Sequence, residues 1–164
     1  MYCIINCDKS ADKESQSKEF DMNKFQSVYT TLALVTDQFA CERIIKSARL
    51  IADLSKTELI VLSVMRTGAQ TNPAALEHLF SVAKEYSARM TVEFSDNPQS
   101  TIVHLIHSNH VINTVTGIPV SEQSILVRMW ETLQNISFFT VTERGELHEV
   151  LDRKYRREPA GAGL

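Results

Sequence analysis

Between Tyr29 and Met65 the chain switches its apolar period twice, and that alternation narrows its fold class more than any other feature. Tyr29 to Val35 is a continuous apolar run that stops at Thr36-Asp37-Gln38. Cys41, Ile44, Ile45, Ala48, Ile51 and Ala52 then recur at helical spacing. A second run, Glu58 to Met65, closes the unit. Short apolar runs without polar alternation belong to strands covered on both faces, so the unit reads as strand, helix, strand in a parallel sheet. Open parallel sheets bind ligands beyond the carboxyl ends of their strands, and Thr36 and Asp37 stand at such an end.

The alternation continues to residue 142. Asn72-Pro73 and Asp96-Asn97-Pro98 are helix starts, with Asn as the cap and Pro in the first helical position. The first precedes an apolar face of Leu76, Leu79, Phe80 and Ala83; the second precedes Ile102, Leu105 and Ile106. Arg89 to Ser95, Val111 to Thr116 and Ile136 to Thr142 supply three more strands. Ser121 is the expected cap of a fourth helix, whose apolar face is Leu126, Met129, Trp130 and Leu133. Five strands and four helices joined by short loops predict a Rossmann-like five-stranded parallel sheet with helices on both faces. Right-handed crossovers narrow the topology, and the order 3-2-1-4-5 puts the switch point between strands one and four.

Residues 28–157 are assigned to this domain, residues 1–27 to a disordered leader rich in Lys, Asp, Glu, Ser and Gln, and residues 158–164 to a flexible tail. Within the domain's end, Leu147, Val150, Leu151 and Tyr155 fit either a docked helical stripe or a solvated tail. A net charge of -3 argues against a nucleic-acid face. No apolar stretch has the length of a membrane span, and the short apolar start lacks the form of a signal peptide, so a cytoplasmic protein is expected.

Three cysteines give no disulfide framework. Cys3 and Cys7 read as free thiols in the leader, Cys41 as a buried thiol on the first helix. His104, His107 and His110 follow one another at steps of three, which drift around a helix by about 60° each, so a metal site would need ligands from elsewhere and none is expected. No nucleophile elbow, Walker loop or dinucleotide fingerprint occurs, and catalysis is not expected.

Leu34-Val-Thr-Asp-Gln-Phe-Ala-Cys-Glu-Arg43 resembles the start of the stress-protein domain of KdpD-type sensor histidine kinases. The stretch Leu76 to Asn97, with its Ala-Lys-Glu and Phe-Ser-Asp-Asn-Pro segments, is similar to the middle of that domain. The wider group is the universal stress protein family. The resemblance spans Tyr29 to Glu143 and implies a non-catalytic, often dimeric signalling protein that binds an adenine nucleotide such as ATP or AMP. It further implies that Asp37 helps seat the nucleoside, that main chain near Val64 and Met65 meets the base, and that Gly117 opens a phosphate loop. The loop departs from the family pattern. Val120 stands in place of the second glycine, and Trp130-Glu131 in place of the closing Gly-Ser/Thr pair. Ser121 and Ser124 are the remaining candidates for holding an anion.

Two uses are open to Asp37, a ligand contact and the cap of the first helix. Gly117 reads as a backbone requirement of the strand end. The competing function is a dimeric interaction module with a vestigial pocket, in which the fifth strand is an edge that pairs with a second copy and Phe138 and Phe139 point to opposite faces. A sensor kinase is the protein partner that the resemblance suggests.

Overall fold

The computed structural model describes residues 28–36 and 38–151; Asp37, the leader and the tail lie outside the described residues. Ten elements follow in the order β1 (Thr30–Leu34), α1 (Cys41–Ser55), β2 (Glu58–Met65), α2 (Pro73–Glu85), β3 (Arg89–Phe94), α3 (Pro98–Ser108), β4 (Val111–Gly117), α4 (Ile125–Thr132), β5 (Ser137–Val141) and β6 (Leu147–Glu149). The sheet runs β3-β2-β1-β4-β5-β6. The first five strands are mutually parallel in the expected order. The helices fall on both faces because each crossover keeps one hand.

Each face of the sheet has its own core. Ala33, Val35, Val61 and Val115 pack against Ile44, Ile45, Ala48 of α1 and Leu79, Val82, Ala83 of α2. Leu32, Leu34, Ile60 and Leu62 point the other way, onto Ile102 and Ile106 of α3 and Met129 of α4. β1 is buried at every position, as its unbroken apolar run requires. Phe138 and Phe139 divide between the two cores. Cys41 is buried.

A polar seam is sunk between strands and α1. Asn113 Nδ2 donates to Thr31 Oγ1 at 3.2 Å and to Ser55 Oγ at 3.0 Å, and the Thr31 and Thr57 hydroxyls share a bond of 2.7 Å. Asn113, Thr31 and Thr57 are buried and would each be costly if unpaired.

The caps follow the sequence at two helices. Asn72 accepts from the amides of Ala74 and Ala75, and Asn97 from Ser100, each followed by proline. They differ at the other two. The residue in the cap position of α1 is Ala40, with no side-chain cap, and the capping role considered for Asp37 lies outside the described residues. Helix α4 begins at Ile125 with Ser124, not Ser121, as its cap. Ser121 instead closes the preceding turn, its carbonyl accepting from the Ser124 amide.

Three expectations about packing are corrected. Phe80 is 58% exposed, while Ala75 and Val82 are buried in its stead. The α2 face therefore lies about a fifth of a turn from the one its largest side chains suggested. On α4, Val127 is buried and Leu126 and Trp130 only flank the core. The segment after β5 is neither a helical stripe nor a solvated tail over its described part. It returns as β6, antiparallel to β5, with Val141 opposite Leu147. Gly145, at φ +83°, makes this hairpin possible. Its amide donates to Thr142 O, and the Thr142 amide to Glu146 O. β5 is thus not the sheet's edge.

Candidate functional site

A cavity of about 450 Å³ opens beyond the carboxyl ends of β1 and β4, at the switch point of the sheet. The size is within the range of small-molecule sites. Its floor is the end of β1, Leu34 to Thr36, with Val64 of β2 beside it. Pro98 and Ile102 of α3 form one wall. The other wall is the loop from Gly117 through Ser121 and the first turn of α4.

Of the seven residues expected to form the site, five line this cavity: Thr36, Val64, Gly117, Ser121 and Ser124. Met65 does not. Alternation along β2 turns its side chain to the opposite face, where its Sδ accepts from Gln38 Nε2 at 3.4 Å, and its main-chain carbonyl, part of the group expected to meet the base, accepts from the Ser95 amide at 2.8 Å. The same Gln38 nitrogen reaches Ser63 Oγ at 3.3 Å and ties the turn after β1 to β2. Asp37 lies outside the described residues.

Gly117 lines the cavity without any backbone need for glycine. It is absent from the positive-φ residues, and an added Cβ would meet Ile44 Cδ1 at 3.6 Å, an ordinary contact. The expectation of a conformational requirement is therefore overturned. Ser124 Oγ already accepts from the Leu126 amide at 3.3 Å, which leaves its hydroxyl proton for a ligand.

Sequence reasoning missed the apolar character of the walls. Ile102 was assigned to the core through its helical spacing, yet it also borders the cavity. Ile118, Pro119, Val120, Ile125 and Leu126 complete the lining, and no Lys, Arg, His, Asp or Glu is among the described residues that form it. The signal was present in the run Gly117-Ile-Pro-Val120, where a phosphate loop would be small and flexible. Val120 itself is fully exposed, at 104% of its reference area. The histidines do not converge: His104 lines a groove beside β3, whereas His107 and His110 line another at the far end of the sheet. No group of three or more metal-ligating side chains occurs among the described residues.

No family model and no curated protein matches the sequence. The solved structures it resembles include universal stress proteins. One, the UspA protein of Lactobacillus plantarum, is 14% identical, with 70% of this chain and 97% of that chain covered and a TM-score of 0.45. Another, from Archaeoglobus fulgidus, is 15% identical, covers 70% and 91%, and has a TM-score of 0.49. A third, a universal stress protein in complex with cAMP, is 12% identical, covers 70% and 95%, and has a TM-score of 0.46. No described helix is long and apolar enough to cross a membrane.

Proposed function

We propose that this chain is a cytoplasmic regulatory protein of the universal stress type, nearest in sequence pattern to the KdpD sensor-kinase domain, that acts by binding and not by catalysis. Its ligand is an adenine nucleoside or a nucleotide of low charge. The observation that carries the reading is the gathering of Thr36, Val64, Gly117, Ser121 and Ser124 around one switch-point cavity. Apolar walls suit a planar base, and the serine hydroxyls and main-chain groups suit a ribose or a single phosphate. Asp37, next in the chain to Thr36, is the proposed ribose contact.

Charge decides among the nucleotides. A triphosphate would bring several negative charges to walls with no basic side chain, and those charges would have to keep their water to avoid a large desolvation cost. Val120 in place of a glycine also withholds the close main-chain approach that a phosphate cradle uses. The expected order of affinity is adenosine and AMP above cAMP, and ATP last.

A thermal-shift titration with these four compounds tests the reading. A ligand at about 100 times its dissociation constant stabilises the native state by about 2.7 kcal/mol. For a domain of this size that raises Tm by roughly 5–10 °C. The shift should vanish in Val64→Trp, which fills the cavity, and weaken in Asp37→Ala. No shift with any of the four at millimolar concentration would reject the nucleotide reading.

A second reading, an interaction module with a vestigial pocket, is favoured by the rim of the cavity. Ile118 and Val120 stand 56% and 104% exposed on the loop after β4, an unusual display of aliphatic surface on a short loop. A sensor kinase is the partner class in that case.

A further inference from the structure

We infer that two copies of this chain pair through β3, antiparallel about a two-fold axis at Thr91, to form one continuous sheet. β3 is an outer strand of the sheet among the described residues. The Ser95 amide donates to Met65 O at 2.8 Å, so the main chain at Ser95 faces β2. The period of two directs residues 93, 91 and 89 the same way. Met90, Val92 and Phe94 consequently turn their amides and carbonyls outward. The strand has no proline, no lysine and no shift in its register with β2, the usual devices that protect an exposed edge. The opposite edge is different: β5 is covered along Phe139–Val141 by β6, which is only three residues long.

The sequence of β3 is self-complementary in this arrangement. With Thr91 on the axis, Met90 lies opposite the partner's Val92 and Val92 opposite the partner's Met90. Both are outward-facing positions, so each pair exchanges two main-chain hydrogen bonds, four in all. Arg89 lies opposite the partner's Glu93, and Glu93 opposite the partner's Arg89. These are non-hydrogen-bonded positions, where facing side chains come closest. Moving the axis to Met90 sets Arg89 against Thr91 and Glu93 against Ser87, moving it to Val92 sets Glu93 against Thr91 and Arg89 against Ser95, and either move loses both ion pairs. Charge therefore selects the register as well as the partner, a second copy of the same strand.

Space is available on both faces. On the α3 side a groove of about 570 Å³ separates Arg89, Thr91 and Glu93 from Thr101, His104 and Ser108. Arg89 Nη2 donates to Asn109 Oδ1 at 2.9 Å, which anchors the side chain and leaves its other donors for a carboxylate. On the opposite face Met90 and Val92 are only half-buried, and an antiparallel copy would pack the two against their counterparts. The inference is independent of what the switch-point cavity binds.

Sedimentation velocity across micromolar to millimolar concentrations provides the test. The full chain should form a dimer. Arg89→Glu and Glu93→Arg, both at exposed positions, should each weaken it by about tenfold by setting like charges face to face twice. The double exchange, Arg89→Glu with Glu93→Arg, should restore the wild-type dimer. In a background of Cys3→Ser and Cys7→Ser, Thr91→Cys should form an intermolecular disulfide under mild oxidation, since facing Cα atoms at such a position are within disulfide reach. A chain monomeric at every concentration overturns the inference. So does a dimer indifferent to the single exchanges, or one that the double exchange fails to rescue.

Discussion

Asn113 shows how one buried amide can tie a helix to two strands. Its two donors go to Thr31 and Ser55, a bond partner 82 and one 58 positions away in the chain. Asn113→Ala should cost about 1–3 kcal/mol in urea unfolding, because hydroxyls arranged to accept those bonds lose them. Gly117→Ala is expected to leave stability nearly unchanged, within about 0.5 kcal/mol, since neither φ nor space demands glycine there. Tyr86, against the α1 and α2 core, has the pKa of its phenol raised above the ordinary tyrosine range, first by burial and then by the charges of Glu85 and Glu42. The folded state therefore holds that proton at pH values where the unfolded chain releases it. Its contribution to stability is intact below pH 10 and is lost as pH rises through the folded value. Ultraviolet titration of the folded protein should show the Tyr86 phenolate appearing above the normal range.

At the scale of elements, local chemistry and tertiary packing divide the work unevenly. The Asn-Pro starts of α2 and α3 were readable because the cap and the proline act within one turn. Asn97→Ala should lower stability by about 1 kcal/mol, measured by chemical denaturation. The burial of α2 was less readable: Leu76, Leu79, Phe80 and Ala83 fit helical spacing, but so do Ala75, Leu79, Val82 and Ala83. The close approach of α1 favours alanine on the buried side and leaves Phe80 outside. β6 was missed because apolar residues 147, 150 and 151 suit a helix, while the hairpin signal lay in Gly145. Gly145→Val should destabilise the hairpin by about 1–2 kcal/mol, as a branched side chain is poorly tolerated at φ +83°. Hydrogen exchange at Val150, whose amide donates to Phe138 O, would report the loss.

For the whole molecule, the sheet creates two kinds of surface at once. Its switch point makes a cavity, and its β3 side leaves outward-facing main chain. If the ligand reading holds, added salt should scarcely alter adenosine binding, because no described charged side chain lines the cavity. Titration calorimetry at low and high ionic strength checks this. The same increase in salt should weaken the proposed β3 dimer, whose register depends on exposed ion pairs. The sequence by itself determined the parallel order of five strands, two helix caps and the end of the sheet at which the switch-point cavity opens, since unbroken apolar runs, Asn-Pro pairs and crossover handedness act locally or by general rule. Only the tertiary structure decided that Met65 turns away from the cavity, that Ile102 and Val120 help to line it, that its described walls are uncharged, and that β5 is covered by β6. The lining of the cavity depends on which faces meet between elements far apart in the chain, which the spacing of residues along one segment does not encode, whereas β6 turns on the conformation of Gly145, which helical spacing of the apolar residues concealed.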